Sequence, residues 1–189
     1  ILAGVAMSFF FSAVTSFLTL TANDYQAARR ALEWMLGGLA GTQWVELTLP
    51  AAALALGTLY LVLQARSLNA LLVGEETARA LGVDTNRFRR ELFVAMALLT
   101  GITVAVSGAI GFVGLMMPHI VRLVVGSDHR RVLPVAGLAG AIFLVWVDVV
   151  ARTVIAPQEL PVGVITALLG VPFFLWLMRC KADQLRGER

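Results

Sequence analysis

A few polar groups stand out in this apolar chain because their types and spacing could do chemistry. Asp148 and Arg152 lie four residues apart near the end of the run LPVAGLAGAIFLVWVDVVART. On a helix that spacing puts both on one face. They can form an intrahelical ion pair that eases an intramembrane carboxylate, or Arg152 can turn outward as a docking charge. His119 follows Pro118. Beside a carbonyl freed by the proline, it reads first as a local hydrogen-bonding group, because a proton relay or metal site needs a carboxylate partner that is not nearby. Ser107 and His119 make a conceivable nucleophile and base, yet Ser107 lacks a Gly-x-Ser-x-Gly setting and a positioned acid. Cys180 is the single cysteine, which excludes an internal disulfide or cysteine metal cluster and leaves it as structural filler. No Gly-x-x-x-x-Gly-Lys-[Ser/Thr] phosphate loop occurs, so ATP chemistry would have to reside on another chain. These residues predict no catalytic group, no metal site and no cofactor.

The elements that must hold these groups follow from composition. The 189 residues are 59% hydrophobic and 14% charged, with a mean hydropathy of +0.83. Soluble domains are roughly 45–50% apolar and about 25% charged, so the chain reads as an integral membrane protein. The net charge of +3 is modest and the arginines cluster in loops, which argues against a nucleic-acid partner. Ile1 lies inside an apolar run without a basic segment before it, so the chain reads as a portion of a longer one.

Charge-poor runs mark the crossings at Ile1–Ala22, Leu47–Ala65, Leu92–Val125, Val132–Val147 and Leu160–Met178. As one helix, Leu92–Val125 would be about 51 Å long, against a hydrocarbon core of about 30 Å. Gly108, Gly111 and Gly114 offer a turn, giving one pass before them and a short one after. The distribution of arginine and lysine supports this split. Six crossings place twelve basic residues on one side and three on the other, whereas five divide them six against nine. The expected fold is all-α: a polytopic transmembrane helical bundle of about six crossings. Residues 66–91, 127–131 and the C-terminus then face the cytoplasm. Residues 23–46 form an outer interfacial segment, with helix-compatible Tyr25–Leu36 closed by Gly37-Gly38 and anchored by Trp34 and Trp44. In the first helix, Gly4, Ser8, Ser12 and Ser16 recur every four residues, a ridge that suits close helix packing or a smooth path lining.

Residues 66–91 carry nine charged side chains. Burying them in the bilayer centre would cost upward of roughly 20 kcal/mol, so they belong in water or against protein. Ser67–Val73 and Glu75–Leu81 read as two short helices broken by Gly74 and ended by Gly82. Glu75 and Glu76 occupy the first turn, where the helix dipole favours anions, and Glu75 precedes Arg79 by four. Leu68, Leu71, Leu72, Ala78 and Leu81 would form an apolar face with nothing in the same loop to bury it. Such an elbow is either a docking surface for another protein or a short interfacial helix pair resting on its own membrane domain.

The run Gly74-Glu75-Glu76-Thr77-Ala78-Arg79-Ala80-Leu81-Gly82 resembles the cytoplasmic coupling loop of the ABC importer permeases for iron-siderophores, haem and cobalamin. Further matches follow in order, including Gly111-Phe112-Val113-Gly114-Leu115, Pro118-His119-Ile120-Val121-Arg122, Asp128-His129-Arg130, Asp148-Val149-Val150-Ala151-Arg152 and Glu159-Leu160-Pro161-Val162-Gly163. The resemblance implies the C-terminal portion of a ten-helix permease, from the fifth helix onward. It implies a second permease subunit, same or paralogous, two cytoplasmic ABC ATPase subunits, and a periplasmic or lipoprotein substrate-binding protein, in a bacterial inner membrane. Gly74, Glu75, Ala78, Leu81 and Gly82 would contact the ATPase, and Arg152 the binding protein. Gly4, Ser8, Ser12 and Ser16, with Gly163 and Gly170 of the last helix, are candidates for the translocation path, with plain packing as the alternative. Competing readings are a secondary transporter driven by protons through Asp148 or His119, an intramembrane enzyme, and a structural scaffold.

Overall fold

A computed structural model of the chain describes residues 2–21 and 25–187, with side chains left aside at 3, 25, 27 and 180–187. The side chain of Cys180 therefore lies outside the described set, as do residues 1 and 22–24 at the edges of the first predicted crossing and the outer segment. The regular structure of the described chain is helical throughout: α1 (Leu2–Thr21), α2 (Tyr25–Leu36), α3 (Thr48–Leu63), α4 (Ala65–Val73), α5 (Glu75–Ala80), α6 (Thr85–Ser107), α7 (Val113–Val125), α8 (His129–Thr153) and α9 (Val162–Gly187). A helix satisfies its backbone polar groups within itself, which is the requirement lipid imposes. The side chains follow the same logic. Thr15, Thr19, Thr103 and Thr153 each donate their hydroxyl to the carbonyl four residues back, at 2.8–2.9 Å.

Four helices, α1, α6, α8 and α9, are long and apolar enough to cross a membrane, and α3 qualifies with α4 as a pair bent by 52°. The chain is a multi-pass membrane protein. The sixth expected crossing is the 13-residue α7, about 20 Å long and so short of a full hydrocarbon core. Its brevity comes from the break that divides the stretch Leu92–Val125. Helix α6 ends at Ser107, residues 108–112 are non-helical, and α7 begins at Val113. Phe112 sits there at φ 67°, with the Val113 N–H donating to the Gly111 carbonyl at 2.9 Å across it. A side chain in this region costs about 1–3 kcal/mol. Ring packing holds it, because Phe112 lies on Gly170 and its centroid is 6.2 Å from that of Phe174.

The polar island is shorter than its charges suggest. Asp84 caps α6 by accepting the Arg87 N–H at 3.1 Å, so residues 85–91 are the first two turns of a long helix rather than loop. Helix α8 likewise begins earlier than the apolar run, at His129, because Asp128 caps it by accepting the Arg130 N–H at 3.0 Å. Its neighbour α7 packs along it, with Met116, Met117 and Val121 buried.

The tightest apolar cluster is Val147, Ala151 and Val162, flanked by Ile110, Phe143, Leu144 and Leu160. It joins the C-terminal end of α8 to the start of α9. Elsewhere the long helices present apolar side chains outward, among them Phe9, Phe93, Leu138 and Leu168. That surface suits lipid or further protein.

Candidate functional site

The helices α6 and α8 have two ends with different construction, and each end gathers the residues singled out by sequence. One end carries the elbow α4–α5. Gly74 joins the two helices at φ 134° and ψ 155°, a conformation closed to residues with a Cβ. Helix α5 stops in a Schellman turn: Val83 N–H donates to the Ala78 carbonyl (3.0 Å) and Gly82 N–H to that of Arg79 (2.9 Å), with Gly82 at φ 85°. Two residues later the Asp84 cap opens α6. Chain direction is thus set at Gly74, at the Schellman turn that closes α5 and at the Asp84 cap.

Side chains then tie α5 to α6. Arg79 lies 3.5 Å from Glu75 and donates through Nε to the buried Thr85 hydroxyl at 3.0 Å. Arg89, one helix away, donates to the other oxygen of Glu75. That hydrogen bond, followed by the Arg89 charge itself, holds the Glu75 carboxyl below its ordinary value. Beneath them Ala78 is 0% exposed, with Ala65 and Phe88 also buried.

The expected apolar face of the elbow is therefore divided. Ala78 is an inner anchor covered by its own chain, and Leu68 and Leu71 are half-buried. Leu81, at 69% exposed, and Leu72 stand outside with Glu75 and Gly82. The glycine next to Glu75, Gly74, is partly exposed.

The opposite end is an open cleft of about 720 Å³ between α2, the C-terminal end of α6 and the α8–α9 connection. Arg152 sits in it with Nε donating to Asp148 at 2.8 Å and Nη1 4.0 Å from Glu159, and its side chain is 45% exposed. The intrahelical pair is formed, and the guanidinium still faces solvent. Arg29 and Glu33 of α2 make a second local pair at 2.9 Å on the cleft wall. Backbone contacts hold the wall together. Gly38 N–H donates to the Ser107 carbonyl at 2.9 Å and Gly163 N–H to that of Gly37 at 3.2 Å. A Cβ on Gly163 would overlap the Leu36 carbonyl, and one on Gly170 would overlap Phe112. Both glycines are thus occupied by close packing within this chain.

The remaining candidates are dispersed. Gly4, Ser8, Ser12 and Ser16 are all exposed on α1, and a Cβ built at Gly4 meets nothing within 4 Å. His119 packs its ring edge-on to Phe173, with centroids 6.1 Å apart. Ser107 spends its hydroxyl on the Thr103 carbonyl at 3.0 Å. Trp34 donates to the Ala105 carbonyl at 3.4 Å, and Trp44 is exposed. Among the described residues, no group of three or more His, Cys, Asp or Glu is placed to hold a metal ion.

Sequence reasoning passed over one group, Asn69. Its carboxamide meets Asp128 and His129, about sixty residues away. The available signal was a lone amide among Leu68, Ala70 and Leu71 on a short helix.

Known proteins share this arrangement. The chain is 47% identical over 179 residues to the cobalamin import system permease protein BtuC of Halobacterium salinarum, covering 95% of this chain and 47% of that one. It is 45% identical over 188 residues to the hemin transport system permease protein HmuU of Yersinia pestis, covering 99% and 56%. A solved structure described as an inward-facing conformation of a putative metal-chelate type ABC transporter superposes with a TM-score of 0.85 at 34% identity, over 94% of this chain and 57% of that one. The chain spans about half the length of the relatives it matches. The profile of the FecCD transport family covers residues 1–180, and the chain belongs to that family.

Proposed function

We propose that this chain is the transporting part of a permease subunit in an ATP-driven importer for iron-siderophore, haem or cobalamin-type chelates. The observation that carries the reading is the elbow. It is turned at Gly74, closed by a Schellman turn and keyed into α6, yet it presents exposed Leu81 and Leu72 that its own chain leaves uncovered. A stiff projection with an apolar tip transmits a push, whereas a flexible loop would absorb one. Cytoplasmic ABC ATPase subunits are its partner in this reading, with Gly74, Glu75, Leu81 and Gly82 at the contact and Ala78 supporting them from beneath. The names of the relatives, a cobalamin and a hemin permease, support the substrate class.

A substrate-binding protein would dock on the Arg152 end, and a second permease subunit would cover the apolar flanks. The Gly4–Ser16 ridge is exposed, as is nearly all of the described part of α1, and would be available as a path lining or a subunit contact. The elbow then lies on the cytoplasmic side of a bacterial inner membrane. No observation favours the proton-driven alternative, since Asp148 is engaged by Arg152 and His119 by Phe173.

Leu81→Arg tests the reading, because the side chain is exposed and its loss leaves the fold intact. In the full-length permease reconstituted with its ATPase in liposomes, hemin or cobalamin uptake should fall about tenfold or more while membrane insertion is unchanged. Unaltered uptake, or uptake that follows the proton gradient without ATP, refutes the assignment.

A further inference from the structure

The elbow is attached to the bundle at a second place. Asn69 on α4 reaches the first residues of α8. Its amide NH2 donates to Asp128 Oδ1 at 2.6 Å, and its amide oxygen accepts the His129 backbone N–H at 2.9 Å. The same oxygen lies 2.8 Å from His129 Nδ1. An amide oxygen has only lone pairs, so Nδ1 must carry its proton here, as it does in the Nδ1–H tautomer and in the cation. Asp128 Oδ1 is also the cap of α8, accepting the Arg130 N–H at 3.0 Å. Asn69 thus grips the cap itself. The bonds from Arg130 and Asn69, with the Arg130 charge, keep the Asp128 carboxyl below its ordinary value.

Asn69 makes three contacts in this clasp, one to Asp128 and two to His129. A leucine at position 69 would remove all three bonds. An aspartate would set a carboxylate oxygen against the Asp128 carboxylate, where a 2.6 Å hydrogen bond now stands. Helix α8 then runs 25 residues to Thr153, about 37 Å. Pro134 removes one backbone hydrogen bond near the clasped end, and the turns from there to Arg152 are continuous. The far end of this single helix carries the Asp148–Arg152 pair.

We propose that Asn69 is a positioning residue that pins the elbow to the cap of α8, so that displacement of the elbow is passed along one helix to the Arg152 end. The pin rests on the permease reading above and adds the route by which its two ends communicate. It predicts reciprocity. Nucleotide on the ATPase should change how tightly the binding protein docks outside, and binding protein should change the affinity for nucleotide by the same factor.

The test uses the full-length permease with its ATPase and binding protein in liposomes, with hemin or cobalamin as the transported probe. ATP hydrolysed per molecule taken up is measured for wild type, Asn69→Asp, and the swap Asn69→Asp with Asp128→Asn. One oxygen, Asp128 Oδ1, serves both Asn69 and Arg130. In the swap, the amide at position 128 therefore gives up the side-chain cap of α8 in order to donate its NH2 to the carboxylate at position 69, so the clasp is restored and the cap is not. That carboxylate still accepts from His129. Asn69→Asp should raise the ratio about tenfold and abolish the effect of ATP on binding-protein affinity. The swap should return both close to wild type.

An unchanged ratio in Asn69→Asp overturns the proposal. If that variant fails to assemble, the swap decides: assembly restored without restored coupling overturns the pin, and both restored supports it. Leu81→Arg in the same assay separates the pin from the reading beneath it. If Leu81→Arg uncouples and Asn69→Asp does not, only the pin falls. If Leu81→Arg does not uncouple, the permease reading falls.

Discussion

The elbow and the cleft at the far end of α8 both use arginine and carboxylate, but in opposite ways. At the elbow the charges cross between elements: Glu75 of α5 is held by Arg89 of α6, and Arg79 of α5 by Thr85 of α6. In the cleft two close pairs are local, Arg29 with Glu33 and Arg152 with Asp148, each four residues apart on one helix, and Arg152 also lies 4.0 Å from Glu159. Structural cohesion there comes from glycine backbone fitted against backbone. Exposed local pairs contribute little to stability, about 0.3–0.5 kcal/mol each. The cleft charges can therefore meet a partner without loosening the fold. Those of the elbow are part of its stiffness.

Breaking the backbone joint should have the largest effect. In Gly163→Val the new side chain meets the Leu36 carbonyl and no flexible group can yield. A loss of about 3 kcal/mol is expected, read as a lower thermal midpoint of the full-length protein in detergent, and an unchanged midpoint would contradict the packing account. Charge reversals then compare the two ends directly. Glu75→Arg sets three arginines together at positions 75, 79 and 89. Amide exchange in residues 74–85 should rise about tenfold, and uptake per ATP should fall with it. Arg152→Glu should leave exchange around residues 148–160 within about twofold of wild type. Its effect should appear as severalfold slower, salt-sensitive docking of the binding protein, recoverable by a reversed charge on that partner. Equal loosening at both ends would erase the distinction.

How much of this could be read from sequence depends on the range of the interaction. The elbow was legible because its boundaries are set by local chemistry: Gly74 and Gly82 break and end helices, and charge keeps the segment out of lipid. Helix α2 was legible for the same reason, ending where Gly37-Gly38 begins. The break after Ser107 followed from a length no single crossing needs. The inward turn of Ala78 was not legible, since on a six-residue helix spacing assigns a face but not which side the bundle covers. Nor was the Asn69 clasp, whose partners are adjacent only after α4 and the start of α8 have met. Gly163 and Gly170 read as path or packing, with packing favoured, but their neighbours Leu36 and Phe112 were not legible before the helices had met.

One consequence of the glycine joint concerns how the rim around Arg152 can be changed. Because Gly37, Gly38 and Gly163 engage through main-chain atoms, the seam between α2, α6 and α9 does not depend on which side chains decorate the rim. If a binding protein docks at Arg152 as proposed, the charges around it can be exchanged to suit a different one while the seam stays unaltered. For anyone seeking to retarget such a permease, the rim is the part to rewrite and the three glycines are the part to leave alone.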